Sequence, residues 1–543
     1  WVESIQLVKG AGSVVNGFES IAGQINVELR KPHNSESFYL NGYTNSMGKT
    51  DLNLNLAYKL NSRWSAGLLL HDDFLYSKPD FNKDGFRDQP TGNQFGLVHR
   101  WHYLNDNGFM SEFGIKLLKD SKTGGELSFS DKDKFSTTKY GLGINTDRYE
   151  AFAKIGYVFP EKIHRSIGLQ FSAFDHDQRA YFGLRGYDAK QKNVYGNMIY
   201  QSKIGSDEHK FKTGISFLYD QYKEQLQLDR FARTEVVTGA FTEYTYSPGE
   251  KLDVVAGLRL DHNNIYGSFA TPRFNIRYAP YQNSTFRFSI GRGQRTANVI
   301  AENMGMLVSS REFEFPSTAS QRAYGLDPEV AWNKGLSFDQ KFKLIGRDAA
   351  FAIDFYRNDF LNQVVVDIEN SRKVQFYNLQ GKSFSNSLQV ELDFTPIDKL
   401  DVRLAYRFFD VKTTYDGQLL QKPLVARNRA FANIAYDLSG LKLDYTINFI
   451  GEKRIPGTGE NPLKYRMEER SPSYITMNAQ ISRSLGKKKM FDIYLGGENL
   501  TNYLQQHAVI ASDQPFGNYF DASMVWGPVS GRLVYTGFRY TIK

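Results

Sequence analysis

The sequence predicts an all-β protein: a 22-stranded antiparallel barrel that crosses a membrane on tilted strands. Three observations predict it. Apolar and polar residues alternate over runs of about ten residues, the length a tilted strand needs to span a bilayer. The connections between these runs come in two sizes, short turns and long loops, as in barrels of the outer-membrane type. No run of 18 apolar residues occurs in the 543, which excludes a helical crossing. A mean hydropathy of −0.48 suits a barrel, because alternate residues of each strand face a wet interior.

The first element is the stretch Trp1 to Pro32. Val2 to Val8 and Gln24 to Leu29 alternate in period two and read as strands, with Gly10, Gly12, Gly17 and Gly23 between them. Such a strand–loop–strand unit is too small to bury a core of its own, and its glycines permit close backbone approach. Period two is clearest further on in three segments. Leu52, Leu54 and Leu56 oppose Asp51, Asn53 and Asn55; Val402 and Leu404 oppose Asp401 and Arg403; Leu443 and Ile447 oppose Lys442 and Asp444. The apolar sets are expected to face lipid, and Asn53, Asn55, Arg403 and Asp444 the lumen. Short turns fall at Asn61-Ser62, Ser247 to Glu250, Pro396 to Asp398 and Ser439-Gly440. Long loops are expected near 76–94, 120–139, 178–196, 222–235, 296–328, 410–429, 451–472 and 502–531. At about 23 residues per strand and connection, the remaining ~510 residues make about 22 strands, a size associated with plugged transporters.

Composition narrows the function classes. Aromatic residues make up 15% of the chain, with 33 Tyr and 41 Phe, which excludes a disordered protein. There is no cysteine, so disulfides and thiol chemistry are ruled out, as suits export through an oxidising compartment. The net charge of +8 is mild for this length. No cluster of Lys and Arg interleaves with aromatics as a nucleic-acid groove requires, so no nucleic-acid partner is expected. No nucleophile–base arrangement is legible, so the protein is not expected to be an enzyme.

Several motifs resemble those of TonB-dependent outer-membrane receptors. Val2-Glu3-Ser4-Ile5, Val8-Lys9-Gly10, Asn16-Gly17 and Ala22 to Val27 resemble the end of that family's plug, with Ala11 where proline is usual. Thr271-Pro272-Arg273, Leu326 to Glu329 with Trp332 to Leu336, Gly496 to Asn502 and Gly531-Arg532 follow the order of its barrel motifs. Lys543 stands where the family usually ends in an aromatic. The resemblance implies that residues 1–32 are the C-terminal remnant of a plug, preceded by more plug and a TonB box, inside a barrel of residues 33–543. It implies a cell outer-membrane location and active uptake of a scarce ligand: a ferric siderophore, haem, cobalamin or another metal chelate. The implied partners are the TonB–ExbB–ExbD complex, outer-membrane lipid and a surface lipoprotein. The alternative is a passive porin or a structural barrel in a larger outer-membrane complex.

Two sets of candidate site residues follow. Asp80-Phe81-Asn82-Lys83-Asp84-Gly85-Phe86-Arg87-Asp88 reads D-x-N-x-D-G-x-x-D, the first nine positions of an EF-hand-type loop. Asp80, Asn82, Asp84 and Asp88 with the Phe86 carbonyl are expected to surround a structural Ca²⁺; position 12 is Thr91, so the bidentate Glu is missing. The plain alternative is a solvated turn. Tyr181, Arg185 and Tyr187, with Arg295 and Arg311 around the 296–328 loop, form an aromatic and basic set suited to an anionic, ring-bearing chelate. Girdle aromatics and lumen ion pairs are the alternative. Met304 and Met306 offer paired thioethers to a soft metal, or, as the favoured reading, apolar packing of a long loop.

Overall fold

Alternation of lipid-facing and lumen-facing side chains closes into a ring in the computed structural model, which describes residues 1–318 and 320–542. Lys543, where the sequence departs from the aromatic end, lies outside the described residues. The wall starts at Phe38–Asn45 and closes where that strand pairs antiparallel with the last one, Leu533–Ile542, as in Leu40 opposite Tyr540. Every wall strand pairs with its sequence neighbours. Gly267–Ala270 and Arg273–Tyr281 pair in succession with one strand, and Gln418–Gln421 and Asn428–Leu438 with another, so each couple is one interrupted stave. The wall therefore has 22 strands.

The facing of the strands follows the alternation. Leu52, Leu404 and Leu443 are exposed on the outer surface, whereas Asn55 is 4% exposed. Asn53 bonds His71 Nδ1 at 2.8 Å, and His71 meets the ring of Trp1 inside the barrel. Arg403 bonds Asp393 on the next strand at 2.5 Å.

Six strands on one side, from Phe109–Gly125 to Asp229–Tyr246, run to 17–19 residues. A membrane crossing takes about 9–11, so these hairpins stand well clear of the bilayer. This corrects two expected loops. Residues 178–196 and 222–235 are the upper parts of continuous hairpins, turning only at residues 183–184 and 227–228. Above the membrane both faces are wet, so the apolar contrast that betrays a strand disappears. Cross-strand ion pairs take its place, Lys190 with Asp177 at 2.9 Å and Lys192 with Asp175 at 3.5 Å.

Residues 1–32 lie within this ring. Val2–Lys9 and Gly23–Leu29 pair with each other, Ile5 opposite Val27 and Leu7 opposite Ile25. Trp1 Nε1 donates to Leu70 O, and Arg100 donates to Leu29 O and Arg30 O. On the far arc Arg273 donates to Ser13 O and Gly17 O, Asn197 to Val15 O, and Lys9 pairs with Asp354. Only a segment in the lumen reaches arcs so far apart. Gly10 (φ +82°) is crowded, since a Cβ there would lie 2.7 Å from Ser289 Oγ. Gly17 is different: it has φ +107° and nothing within 4 Å, so its glycine serves the backbone angle and not proximity.

The longest connections do not splay into solvent. Residues 296–328 (of which Ala319 is outside the described residues), 363–382, 451–472 and 502–531 gather over the mouth into a cap with its own apolar core. Tyr187, Leu226 and Phe231 from the hairpin tips pack there with Val299, Ile300, Leu307, Tyr324, Val374, Phe376, Ile510 and Met524. A three-stranded sheet of Glu312–Glu314, Lys373–Asn378 and Val364–Asp367 stiffens it.

Candidate functional site at the mouth of the barrel

The junction of wall, cap and lumen segment has a charged interior. Tall strands carry alternate polar residues inward, and above the bilayer these meet the descending loops. Tyr187, 0% exposed, donates to Glu224 Oε1 at 2.7 Å, and Tyr324 of the cap donates to Glu224 Oε2 at 2.5 Å. Burial, and after it the Glu224 charge, hold both phenols far above the usual tyrosine range, so both remain donors. The Arg233 guanidinium lies 3.8 Å from the Tyr222 ring and donates to Glu235 Oε1 at 2.9 Å. Arg295 joins wall to cap, bonding Glu329 at 2.7 Å and both oxygens of Glu302 at 3.0 and 2.7 Å.

Glu19 of the lumen segment faces this junction. Its side chain is exposed to a cavity of about 550 Å³ within the barrel, while the surrounding wall and segment crowd it with protein atoms. Burial, then the neighbouring charges of Glu235 and Asp220, push its carboxyl up to about 7.

The expected ligand residues are distributed unevenly. Arg185, Tyr187, Arg295, Arg311, Met304 and Met306 converge on the cap, but mostly as its fastenings. Arg185 donates to the carbonyls of Leu307, Ser309 and Arg311. Arg311, 1% exposed, bonds Asp521 at 2.8 Å and the carbonyls of Ile368 and Asn370 at 3.0 and 2.7 Å. Met304 and Met306 pack against the cap core, and Gln178 Nε2 lies 3.3 Å from the Met304 sulfur. Tyr181 stands apart under Phe129 and Phe135, with the Lys134 ammonium 4.6 Å from its ring. Tyr181, Arg185 and Tyr187 sit at a hairpin tip. Sequence reasoning missed Glu19, Glu224, Arg233, Glu235 and Tyr324. The charged alternation Arg233-Thr234-Glu235 was the available signal.

The Asp80–Asp88 loop makes a tight turn about Gly85 (φ +87°). Its carboxylates accept backbone N–H groups: Asp80 from Asp84 and Gly85, Asp84 from Phe86, and Asp88 from Phe81. Burial and the nearby Asp80 and Asp84 push Asp88 up to about 6. Among the described residues no three His, Asp or Glu side chains are gathered tightly enough to hold a metal ion.

Comparison with known proteins sets this geometry in context. The family model for TonB-dependent receptor-like β-barrels matches residues 31–500. Among solved structures, the chain is similar to the siderophore receptor PiuA from Acinetobacter baumannii, at 13% identity and TM-score 0.70, over 99% of this chain and 86% of that one. It is similar to the siderophore receptor PirA from the same organism, at 13% identity and TM-score 0.72, over 100% and 85%. A mutant of the ferric enterobactin receptor PfeA from Pseudomonas aeruginosa, in complex with enterobactin, matches at 12% identity and TM-score 0.75, over 100% and 86%. At these identities the likeness is one of fold.

Proposed function

The chain belongs to the TonB-dependent receptor β-barrel family, and from that premise we propose that it captures a metal chelate at its cap and releases it through the lumen when TonB displaces residues 1–32. Membership makes it an outer-membrane receptor for active uptake and not an enzyme. The metal chelate, the role of residues 1–32 as plug, energy supply by ExbB–ExbD and a surface lipoprotein as accessory belong to the proposal.

One observation carries it: a loop cap packs over the mouth, and a segment is strung between distant arcs of the lumen beneath it. Residues 1–32 are tied to opposite arcs of the wall, and above them the cap closes on a packed core. A diffusion pore needs an open bore, whereas a receptor energised from outside needs a barrier that yields to work. Liposome swelling tests this. Intact protein should admit no small sugar, and ligand accumulation by cells should stop when TonB is deleted. Rapid sugar entry would favour the porin.

The Asp80–Asp88 loop is proposed to take Ca²⁺. Asp80, Asn82, Asp84, Asp88 and the Phe86 carbonyl supply the hard oxygen donors this ion prefers. Burial first, and then the charges of Asp80 and Asp84, raise Asp88, and a divalent ion would relieve the part that is repulsion. To bind, the carboxylates would exchange backbone N–H groups for the ion, stiffening the rim beside the cap, where Phe86 packs on Tyr140 and Phe520.

A further inference from the structure

The end of the barrel away from the cap carries a cation where the wall should be apolar. The strand Tyr474–Leu485 leaves the cap loop 451–472 and runs down to a short turn. Leu443, exposed on the outer surface, stands opposite Ile481 of this strand. Side chains alternate along a strand, so Arg483, two positions further on, shares the lipid-facing side and is set between Leu441 and Ile493. It is exposed and has no ion pair or hydrogen bond among the described residues. A charge on the lipid face is destabilising at depth and tolerated near the interface, where a long basic side chain reaches the head groups. Arg347, at another short turn, is already taken by Asp398 at 2.6 Å.

Three lysines stand directly beyond it. The turn Gly486-Lys487-Lys488-Lys489 returns the chain to the strand Phe491–Glu498. Lys489 N–H donates to Gly486 O at 3.1 Å, with Gly486 at φ +77° and Lys489 at φ +49°. The turn is thus closed, and all three lysines are exposed on it. None has a carboxylate partner among the described residues. Beside the turn Leu485 stands opposite Phe491, whose ring lies 5.9 Å from that of Phe538 and 6.4 Å from that of Tyr540. Such a girdle of aromatic rings marks the level at which hydrocarbon gives way to head groups. Arg483 therefore lies on the lipid side of that boundary and the lysines just past it, at the depth of lipid phosphates.

We propose that this corner of the short-turn rim binds an anionic phospholipid of the adjoining leaflet, its phosphodiester between Arg483 and the lysines of the turn and its acyl chains along Leu441, Leu485 and Ile493. The guanidinium offers a planar fork of donors to phosphate oxygens. The lysines add an attraction that favours a lipid of net negative charge over a zwitterionic one with the same phosphodiester. The site lies at the opposite end of the barrel from the cap and does not depend on which ligand is transported.

The test uses the full chain in detergent micelles with equal amounts of palmitoyl-oleoyl phosphatidylglycerol and palmitoyl-oleoyl phosphatidylcholine, the retained lipids being counted by native mass spectrometry. Wild type should retain phosphatidylglycerol over phosphatidylcholine by about fivefold or more, the effect of one lysine at an anionic lipid surface. The variant K487E/K488E/K489E, confined to an exposed turn, should lose that preference, and R483Q should weaken it while the barrel keeps its heat-modifiable migration on SDS gels. The variant K162E/K210E/K251E changes net charge equally at exposed lysines near other short turns and should keep the preference. Excess sn-glycerol 3-phosphate, which has the phosphate and no acyl chains, should not displace the lipid. Equal retention of the two lipids by wild type, a preference unmoved by K487E/K488E/K489E, equal loss in K162E/K210E/K251E, or displacement by glycerol 3-phosphate would each overturn the proposal. The uptake reading is tested in cells and by sugar entry, so failure here leaves it standing.

Discussion

The wall and the cap are built from the same residue types and held by opposite means. In the wall every strand is fixed by its sequence neighbours. Its apolar side chains face outward, Leu404 at 45% exposed, and its polar ones inward. In the cap the apolar side chains are inside, and contacts join residues far apart, such as Arg311 and Asp521, 210 positions distant. The bilayer explains the inversion. Where lipid is the solvent, apolar groups gain nothing by turning inward; where water surrounds the loops, they do. An arginine in the lumen ties the wall to residues 1–32, as Arg273 does, while an arginine in the cap ties loops to one another, as Arg311 does.

The sharpest way to break this comparison is to remove Arg311. Arg311→Ala leaves Asp521 buried and the carbonyls of Ile368, Asn370 and Lys373 without their donor, a loss of about 3–5 kcal/mol for breaking a buried pair. Hydrogen exchange should rise over residues 299–314, 363–378 and 508–526, while the heat-modifiable migration of the barrel on SDS gels stays that of wild type. Loss of the barrel itself would show that cap and wall are one cooperative unit. Leu404→Arg attacks the other region. It should cost about 2–4 kcal/mol near the midplane in vesicle unfolding experiments. Arg403→Leu, losing a solvent-exposed pair, should cost about 0–1 kcal/mol. Equal costs at the two sites would contradict the alternation. Tyr187→Phe removes one bond to the Glu224 carboxylate and should weaken the cap by about 1–3 kcal/mol, read as faster exchange at Tyr324 but not at Leu404.

Two smaller effects sharpen the rim and the lumen. Calcium at ten times its dissociation constant would stabilise the Asp80–Asp88 loop by about 1.4 kcal/mol. Adding EDTA should therefore speed exchange there, and Asp84→Ala should abolish the response. No change in wild type would remove the ion. Glu19, raised to about 7 in the fold, holds its proton more tightly there than in the unfolded chain. Its contribution is therefore full below the unfolded carboxyl range and is lost as pH rises toward and through 7. Exchange protection of residues 10–22 should fall over that interval in wild type and stay flat in Glu19→Gln.

How much was legible in the sequence follows the same division. Leu404 beside Arg403, or Leu52 beside Asn53, announces a strand and its facing, because period two is local and the bilayer demands it. The tall hairpins were read as loops because Asp188, Lys190 and Lys192 offer no apolar contrast once both faces are wet. The sequence offers Arg185, Arg311 and Tyr187 as residues open to a ligand, whereas the structure holds all three in bonds of the cap, Arg311 and Tyr187 buried and Arg185 half-buried. Nothing near Arg311 in the chain names Asp521 or the carbonyls of 368 and 370 as its partners.

The sequence by itself determined the all-β class, the strand number, the facing of the membrane strands and the family, all of which rest on alternation and short motifs within one or two strands. Only the tertiary structure decided that the long connections pack into a cap, that Glu224 is shared by two tyrosines 137 positions apart in the chain (Tyr187 and Tyr324), and that Lys453 donates to the carbonyl of Trp526, 73 positions away. The physical reason is range. Lipid imposes one rule on every residue of a strand, so the rule is written locally. Burial in water depends on which distant segments meet, and that is settled only when the barrel brings the ends of its strands together around one mouth.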